Sequence, residues 1–218
     1  MLPVARPVEE IHAASLATLR HRAAGCRACP LWRGATATVF GKGPPHAAAM
    51  LIGEQPGAQE DLAGEPFVGP AGQLLDRAMA DAGLDRKALY LTNAVKHFKY
   101  EMRGEAKLHK RANASEQAAC RQWLAAELLC VRPRVVVGLG AMAAQTLFGS
   151  TFRITSQRGE WRHMDEGVRA IATWHPSAVL RMPRQERRHT AYGELVRDLR
   201  EVATVLAELV GDAMDAPA

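Results

Sequence analysis

Four short, largely apolar runs stand out along the chain, and most end at a polar or glycine-rich turn. They are Ala48-Ala49-Met50-Leu51-Ile52, Leu89-Tyr90-Leu91-Thr92, Arg134 to Leu139 and Val168 to Thr173. Their length and β-branched content predict buried strands. The first exits into Gly53-Glu54-Gln55-Pro56-Gly57, the second at Asn93, and the fourth into Trp174-His175-Pro176. Around them, apolar positions recur at helical spacing. Helices are predicted over Val8 to Ala24, over Ala71 to Ala82 with Gly83 as C-terminal cap, and from a Ser115 cap to about Val131. Two more follow, Ala141 to Phe148 and an amphipathic helix from Gln185 to about Leu209, with a poorly ordered tail expected after about 210. Gly25 to Pro45 is rich in Cys, Gly and Pro and reads as a loop, as does the basic, aperiodic stretch Lys96 to Ala114.

Strands alternating with helices predict an α/β fold: a three-layer α/β/α sandwich around a central, mainly parallel four-stranded sheet. Neither an internal repeat nor a low-complexity linker interrupts the chain, so one domain is expected over 1–218. Sites in such sheets lie beyond the carboxyl ends of the strands, where Glu54-Gln55, Asn93 and His175 fall.

Composition narrows the class. A content of 48% hydrophobic and 23% charged residues is that of a globular protein, and the net charge of +5 suits a polyanionic partner as well as a plain solvated cationic face. Met1 to Ser15 holds no apolar run, and nowhere do about 18 apolar residues follow one another, so a cytoplasmic protein without a membrane span is expected. Four cysteines in that compartment read as thiols or metal ligands rather than disulfides. Cys26-Arg27-Ala28-Cys29 has ligand spacing, His97 and Cys120 are further candidates, and Cys130 reads as a small core residue. Ligand type alone leaves zinc and iron–sulfur open. The C-x-x-C does not open a helix after a strand, against a thioredoxin-like redox role. No H-x-E with a later P-C-x-x-C appears, against a deaminase, and Gly138-Leu139-Gly140 lacks the rest of a dinucleotide fingerprint.

Three stretches carry a resemblance. Gly53-Glu54-Gln55-Pro56-Gly57 with Gly64-Glu65-Pro66-Phe67-Val68-Gly69-Pro70-Ala71-Gly72, then Thr92-Asn93-Ala94-Val95-Lys96, then His175-Pro176-Ser177 with Leu180-Arg181, resemble the motifs of the family 4 uracil-DNA glycosylases. The similarity runs from about Cys26 to Val202. Gln55 and His97 stand where that family typically has Gly or Ala and Cys, and both are similar to the UdgX branch. That branch also carries an inserted basic loop, K-R-R-I-H. The corresponding stretch here is Gly104-Glu105-Ala106-Lys107-Leu108-His109-Lys110, with Lys107 in place of the second Arg and Glu105-Ala106 in place of Lys-Arg.

The resemblance implies a [4Fe–4S] cluster of structural role, held by Cys26, Cys29, His97 and Cys120. It implies that Phe67 stacks on an extruded uracil, that Asn93 reads O4 and N3–H, and that His175 donates to O2, where leaving-group charge grows. Ser177 and Arg181 would contact phosphate, Glu54 would steady the sugar cation or orient a nucleophile, and Gln55 would bond near base or nucleophile. Asp61 would order its loop, and Lys107 would belong to the substrate-binding loop. His109, rather than water, would attack the sugar C1′ and leave the protein covalently on uracil-containing DNA, single-stranded or duplex. The protein is expected to act as a monomer, associated with a bacterial nucleoid when bound to DNA. The alternatives are a conventional hydrolytic glycosylase and a non-catalytic binder of uracil-containing DNA.

Overall fold

The computed structural model describes residues 15–214. Strands among them are β1 (Ala49–Gly53), β2 (Tyr90–Asn93), β3 (Tyr100–Arg103), β4 (Ala106–His109), β5 (Val135–Leu139), β6 (Arg162–His163) and β7 (Arg169–Thr173). The central sheet has the order β2-β1-β5-β7-β6, parallel except for β6 at the edge, so it contains five strands rather than the four expected. The extra strand is two residues long, Arg162 and His163 pairing with Ala170 and Arg169, too short to carry a hydrophobic pattern. The 96–114 stretch is a second departure. Instead of a loop it holds the antiparallel hairpin β3-β4, closed by the two-residue turn Gly104-Glu105, with Gly104 at φ 61.

Helices are α1 (Leu16–Ala24), α2 (Ala58–Ala63), α3 (Pro70–Asp81), α4 (Ala114–Val131), α5 (Gly140–Phe148), α6 (Ile154–Gln157), α7 (Pro176–Leu180) and α8 (Gln185–Met214). The 8–14 part of the first predicted helix lies outside the described residues. The last helix continues to Met214, past the point where a tail was expected, and 215–218 are again outside. Asn113, not Ser115, caps α4: its side chain accepts from Glu116 N–H while the Glu116 carboxylate accepts from Asn113 N–H.

Every residue of β1 and β5 is buried, as expected of parallel strands covered on both faces. Alternate side chains enter two separate cores. Ala49, Leu51, Val135 and Val137 pack with Leu75 and Met79 of α3 and Leu195, Leu199 and Val202 of α8. Met50, Ile52 and Val136 pack with Leu124 of α4 and Met142 of α5. Each such Val, Leu, Ile or Met side chain, fully withdrawn from water, stabilises the fold by about 1.5–3 kcal/mol before entropy is counted. The register pairs Gly53 with Asn93 and Leu139 with Thr173, so the strands end along one rim. Sheet order reverses at β1, with β2 on one side and β5 on the other, and the crevice at that switch point is where ligands of doubly wound sheets bind.

Two buried charge networks brace this rim. Lys96 Nζ, fully buried, donates to Glu127 (2.6 Å), Thr92 Oγ1 (2.7 Å) and the Asn93 carbonyl (2.7 Å). Glu127 also accepts from Gly41 N–H, Tyr90 OH and Thr92 OH, so the carboxylate is well satisfied. Across the sheet, Arg158 bonds Glu194 and both oxygens of Asp198 on α8, and Thr173 OH donates to Asp198 (2.6 Å). Trp174 Nε1–H donates to Glu194, which ties the exit of β7 to α8.

Candidate functional site

The exit of β7 sets the geometry of His175. Pro176 at the first position of α7 forces the turn, and the exposed amide of Ser177 is capped by the imidazole: Nδ1 accepts from Ser177 N–H (3.0 Å) and bonds its hydroxyl (2.7 Å). A nitrogen accepting a backbone N–H carries no proton. In the neutral ring the proton therefore sits on Nε2, which becomes a donor. Burial, aided by Arg181 and His109, pushes the His175 pKa down to about 4, so the ring is neutral at pH 7. Gly140, at φ 86, makes room beside it, since a Cβ there would stand 2.7 Å from His175 Cβ.

The exit of β1 makes the opposite wall. A Cβ on Gly53 would lie 2.3 Å from Asn93 Oδ1 and 2.6 Å from Phe67 Cζ, so the amide and the ring meet over a glycine. Asn93 is buried, yet its side-chain amide makes no hydrogen bond among the described residues. Phe67 takes a left-handed φ of 57, and three groups over-determine that conformation. Arg86, paired with Asp76, donates to the carbonyls of Pro66 and Phe67. Glu60 accepts from Gly57 N–H and Gly69 N–H and so staples both ends of the loop. Gly72 leaves space for the Phe67 carbonyl, 1.9 Å from where a Cβ would be. The Phe67 and His175 rings lie 6.3 Å apart between centroids.

His109 is the last residue of the hairpin, its ring 6.0 Å from that of Phe98, and it is near enough to Glu54, Arg181 and His175 to feel their charges. Burial lowers its pKa, with Glu54 opposing and Arg181 adding to the shift, and its charge in turn depresses His175. Gln55, 6% exposed, anchors the hairpin stalk: its Nε2–H donates to the Lys99 carbonyl (3.1 Å), which also accepts from Lys110 N–H (2.9 Å). Its Oε1 is buried without a partner, an acceptor left open at the site. Ser177, Leu180 and Arg181 line a cleft of about 370 Å³ with Gly57, Pro70 and Ala71.

Glu54, Gln55, Phe67, Asn93, His109, His175, Ser177 and Arg181 thus belong to one rim. Two expected members stand apart. Asp61 spends its carboxylate on the amides of Thr36 and Ala37, and Lys107 lies over the Tyr100 ring (4.5 Å). Glu60, Arg86, Gly53, Gly72 and Gly140 were not anticipated. The Gly57-to-Glu60 spacing of a capping pair was the one legible signal among them.

Cys26 and Cys29 sit in the loop after α1, and Cys120 lies in α4. Cys26 Sγ accepts from Trp123 Nε1–H (3.2 Å) and Cys120 Sγ from Lys96 N–H (3.1 Å), donors that suit thiolates. Burial pushes the Cys120 thiol up to about 12 and raises Cys29, and both respond to the charge of Cys26. The His97 ring bonds Thr38 Oγ1 through Nε2 (2.8 Å). Among the described residues no group of three or more His, Cys, Asp or Glu is gathered closely enough to hold a metal ion. The donor types and their N–H···S partners fit an iron–sulfur group, without forming a closed set around one ion.

Residues 40–200 match the family described as the uracil DNA glycosylase superfamily. The chain is 36% identical over 165 residues to a type-4 uracil-DNA glycosylase of Archaeoglobus fulgidus, covering 72% of this chain and 79% of the relative. A type-4 uracil-DNA glycosylase of Thermotoga maritima is 36% identical over 157 residues, 72% of this chain and 78% of that one. A type-5 uracil-DNA glycosylase of Pyrobaculum aerophilum is 31% identical over 154 residues, 63% and 64% of the two chains. No helix among the described residues is long and apolar enough to cross a membrane.

Proposed function

Because this chain belongs to the uracil DNA glycosylase superfamily, we propose that it excises uracil from DNA and that His109 then captures the sugar. The observation that carries the reading is the fixed, neutral His175, whose Nε2–H is presented opposite Phe67 and the unengaged amide of Asn93. An extruded uracil stacks on Phe67, and Asn93 donates to O4 and accepts from N3–H, a pattern cytosine cannot match. As the N1–C1′ bond breaks, its electron pair leaves with the base, and His175 donates to the developing charge on O2. Glu54 stands near the sugar, where its charge opposes the oxocarbenium.

His109 enters from the hairpin as an imidazole whose partial desolvation lowers its pKa and so favours the uncharged ring. Its ring nitrogen supplies the electron pair for a new C1′–N bond, and the proton on the other nitrogen passes to solvent. Gln55 holds the hairpin at its stalk and keeps Oε1 as an open acceptor at the site. Cys26, Cys29, Cys120 and His97 would hold a [4Fe–4S] cluster, which when bound supplies a covalent tie between the N-terminal loop, the 93–97 turn and α4.

A uracil-containing single-stranded oligonucleotide is incubated with the protein and run on a denaturing SDS gel, beside a thymine control. A uracil-dependent band shifted by the mass of the oligonucleotide, absent in His109→Ala, is expected. An unshifted protein with an alkali-cleavable product would leave excision standing and remove capture. No product of either kind would refute both.

A further inference from the structure

We propose that the loop bearing Cys26 and Cys29 carries a second single-stranded DNA contact, built on Arg27, Trp32 and Arg33 and joined to the excision site along the hairpin. The proposal rests on the excision reading only for where the strand begins. Three observations carry it. First, the guanidiniums of Arg27 and Arg33 stand 4.7 and 5.8 Å from the Trp32 ring centroid, and Lys107 stands 4.5 Å from that of Tyr100. Second, Arg27, Arg33 and Lys107 are all exposed and make no ion pair among the described residues, whereas Lys99 and Lys110 nearby are paired with Glu116 and Glu101. Cations held in place by aromatic faces, with no carboxylate answering them, are pre-set for phosphates.

Third, side-chain packing makes the path continuous. The Tyr100 ring packs on Gly34, 3.5 Å from where a Cβ would sit, and Tyr100 OH donates to the Gly34 carbonyl (3.0 Å). Tyr100 lies 5.1 Å from Phe98, and Phe98 lies 6.0 Å from His109. Phe98 is buried and only braces Tyr100 and His109, so the faces open to a strand are those of Tyr100 and Trp32, set among Arg27, Arg33 and Lys107: charge for the backbone, flat faces for unpaired bases. A duplex offers no unstacked base to such rings, so the favoured partner is a single strand flanking the extruded uracil.

The test measures binding of the full-length, cluster-loaded protein to thymine-only single strands by fluorescence anisotropy over a range of salt. Arg27→Gln/Arg33→Gln should reduce the slope of log K against log salt by about 1.4, at about 0.7 for each phosphate no longer neutralised. Trp32→Ala should weaken binding about tenfold and Trp32→Phe should restore it, because a stacked base on an aromatic face contributes on that scale. Single-turnover excision at saturating DNA should stay unchanged in all three variants. Unchanged slope in the double variant overturns the proposal whether or not Trp32→Ala folds. Loss of uracil excision in the unmodified protein, with the slope change intact, would refute the excision reading and leave this DNA-binding surface standing.

Discussion

The state of His175 can be tested without any assay of activity. An unfolded histidine titrates near 6.5, whereas the native ring, buried and accepting two bonds at Nδ1, titrates at about 4. A pKa depressed in the native state means that acid favours the unfolded chain. Stability is greatest above about pH 6.5, declines as pH falls from there toward 4, and is flat below. Between pH 7 and pH 5 the unfolded ring takes up about three quarters of a proton and the native ring about a tenth of one, which integrates to about 2 kcal/mol of lost stability. His175→Asn is the comparison, because the asparagine oxygen sits near the Nδ1 position and preserves the cap on Ser177 N–H without titrating. Urea unfolding at pH 7, 6 and 5 should show the wild type losing about 2 kcal/mol more than the variant across that interval, while all other groups cancel in the difference. Parallel stability curves would mean that the native ring takes up a proton like a free histidine, and the neutral-donor role of His175 would go with them.

Other perturbations probe the supports of the site. Lys96→Met leaves the Glu127 charge buried without its cation and should cost about 3–5 kcal/mol in urea unfolding; Lys96→Met/Glu127→Met should recover most of it, and equal losses in both would refute the pairing. Gly53→Ala puts a methyl 2.3 Å from Asn93 Oδ1, so excision measured in single turnovers should fall about a hundredfold, as misplacement by an ångström does, with the thermal midpoint moved far less. Gln55→Ala removes one bond to the hairpin stalk and should slow covalent capture about fivefold, the scale of one hydrogen bond, while base release is affected less; the two are separated by quenching one reaction for gel shift and for free uracil.

The sheet was legible because its strands are buried on both faces and so appear as unbroken apolar runs. Leu51 and Met50 needed no partner to be read. The hairpin escaped for the opposite reason: Tyr100–Arg103 and Ala106–His109 are largely exposed on both faces, so no alternation marks them. Asn93 and His175 could be located because strand ends are fixed by the runs before them. Lys96, Glu60 and Arg86 could not, since a charged residue reads as surface until its partner is known. Glu127 is 31 residues from Lys96, and the carbonyls held by Arg86 lie about 20 residues before it. Gly53, Gly72 and Gly140 matter for the volume they leave empty, which only a three-dimensional neighbour can define.

The hairpin stalk has a consequence for how such a protein changes over generations. Lys110 N–H reaches the Lys99 carbonyl at 2.9 Å, so the two ends of the ribbon already meet, and none of the five central-sheet strands belongs to it. A ribbon of any length, or a bare turn, fits between those two anchor points without disturbing the packed layers beneath. The base-reading pocket and the residue that would seize the sugar therefore sit on separable parts of the gene. If His109 captures the sugar as proposed, editing a single short exposed segment would separate release of the product from its retention, while the packed sheet persists.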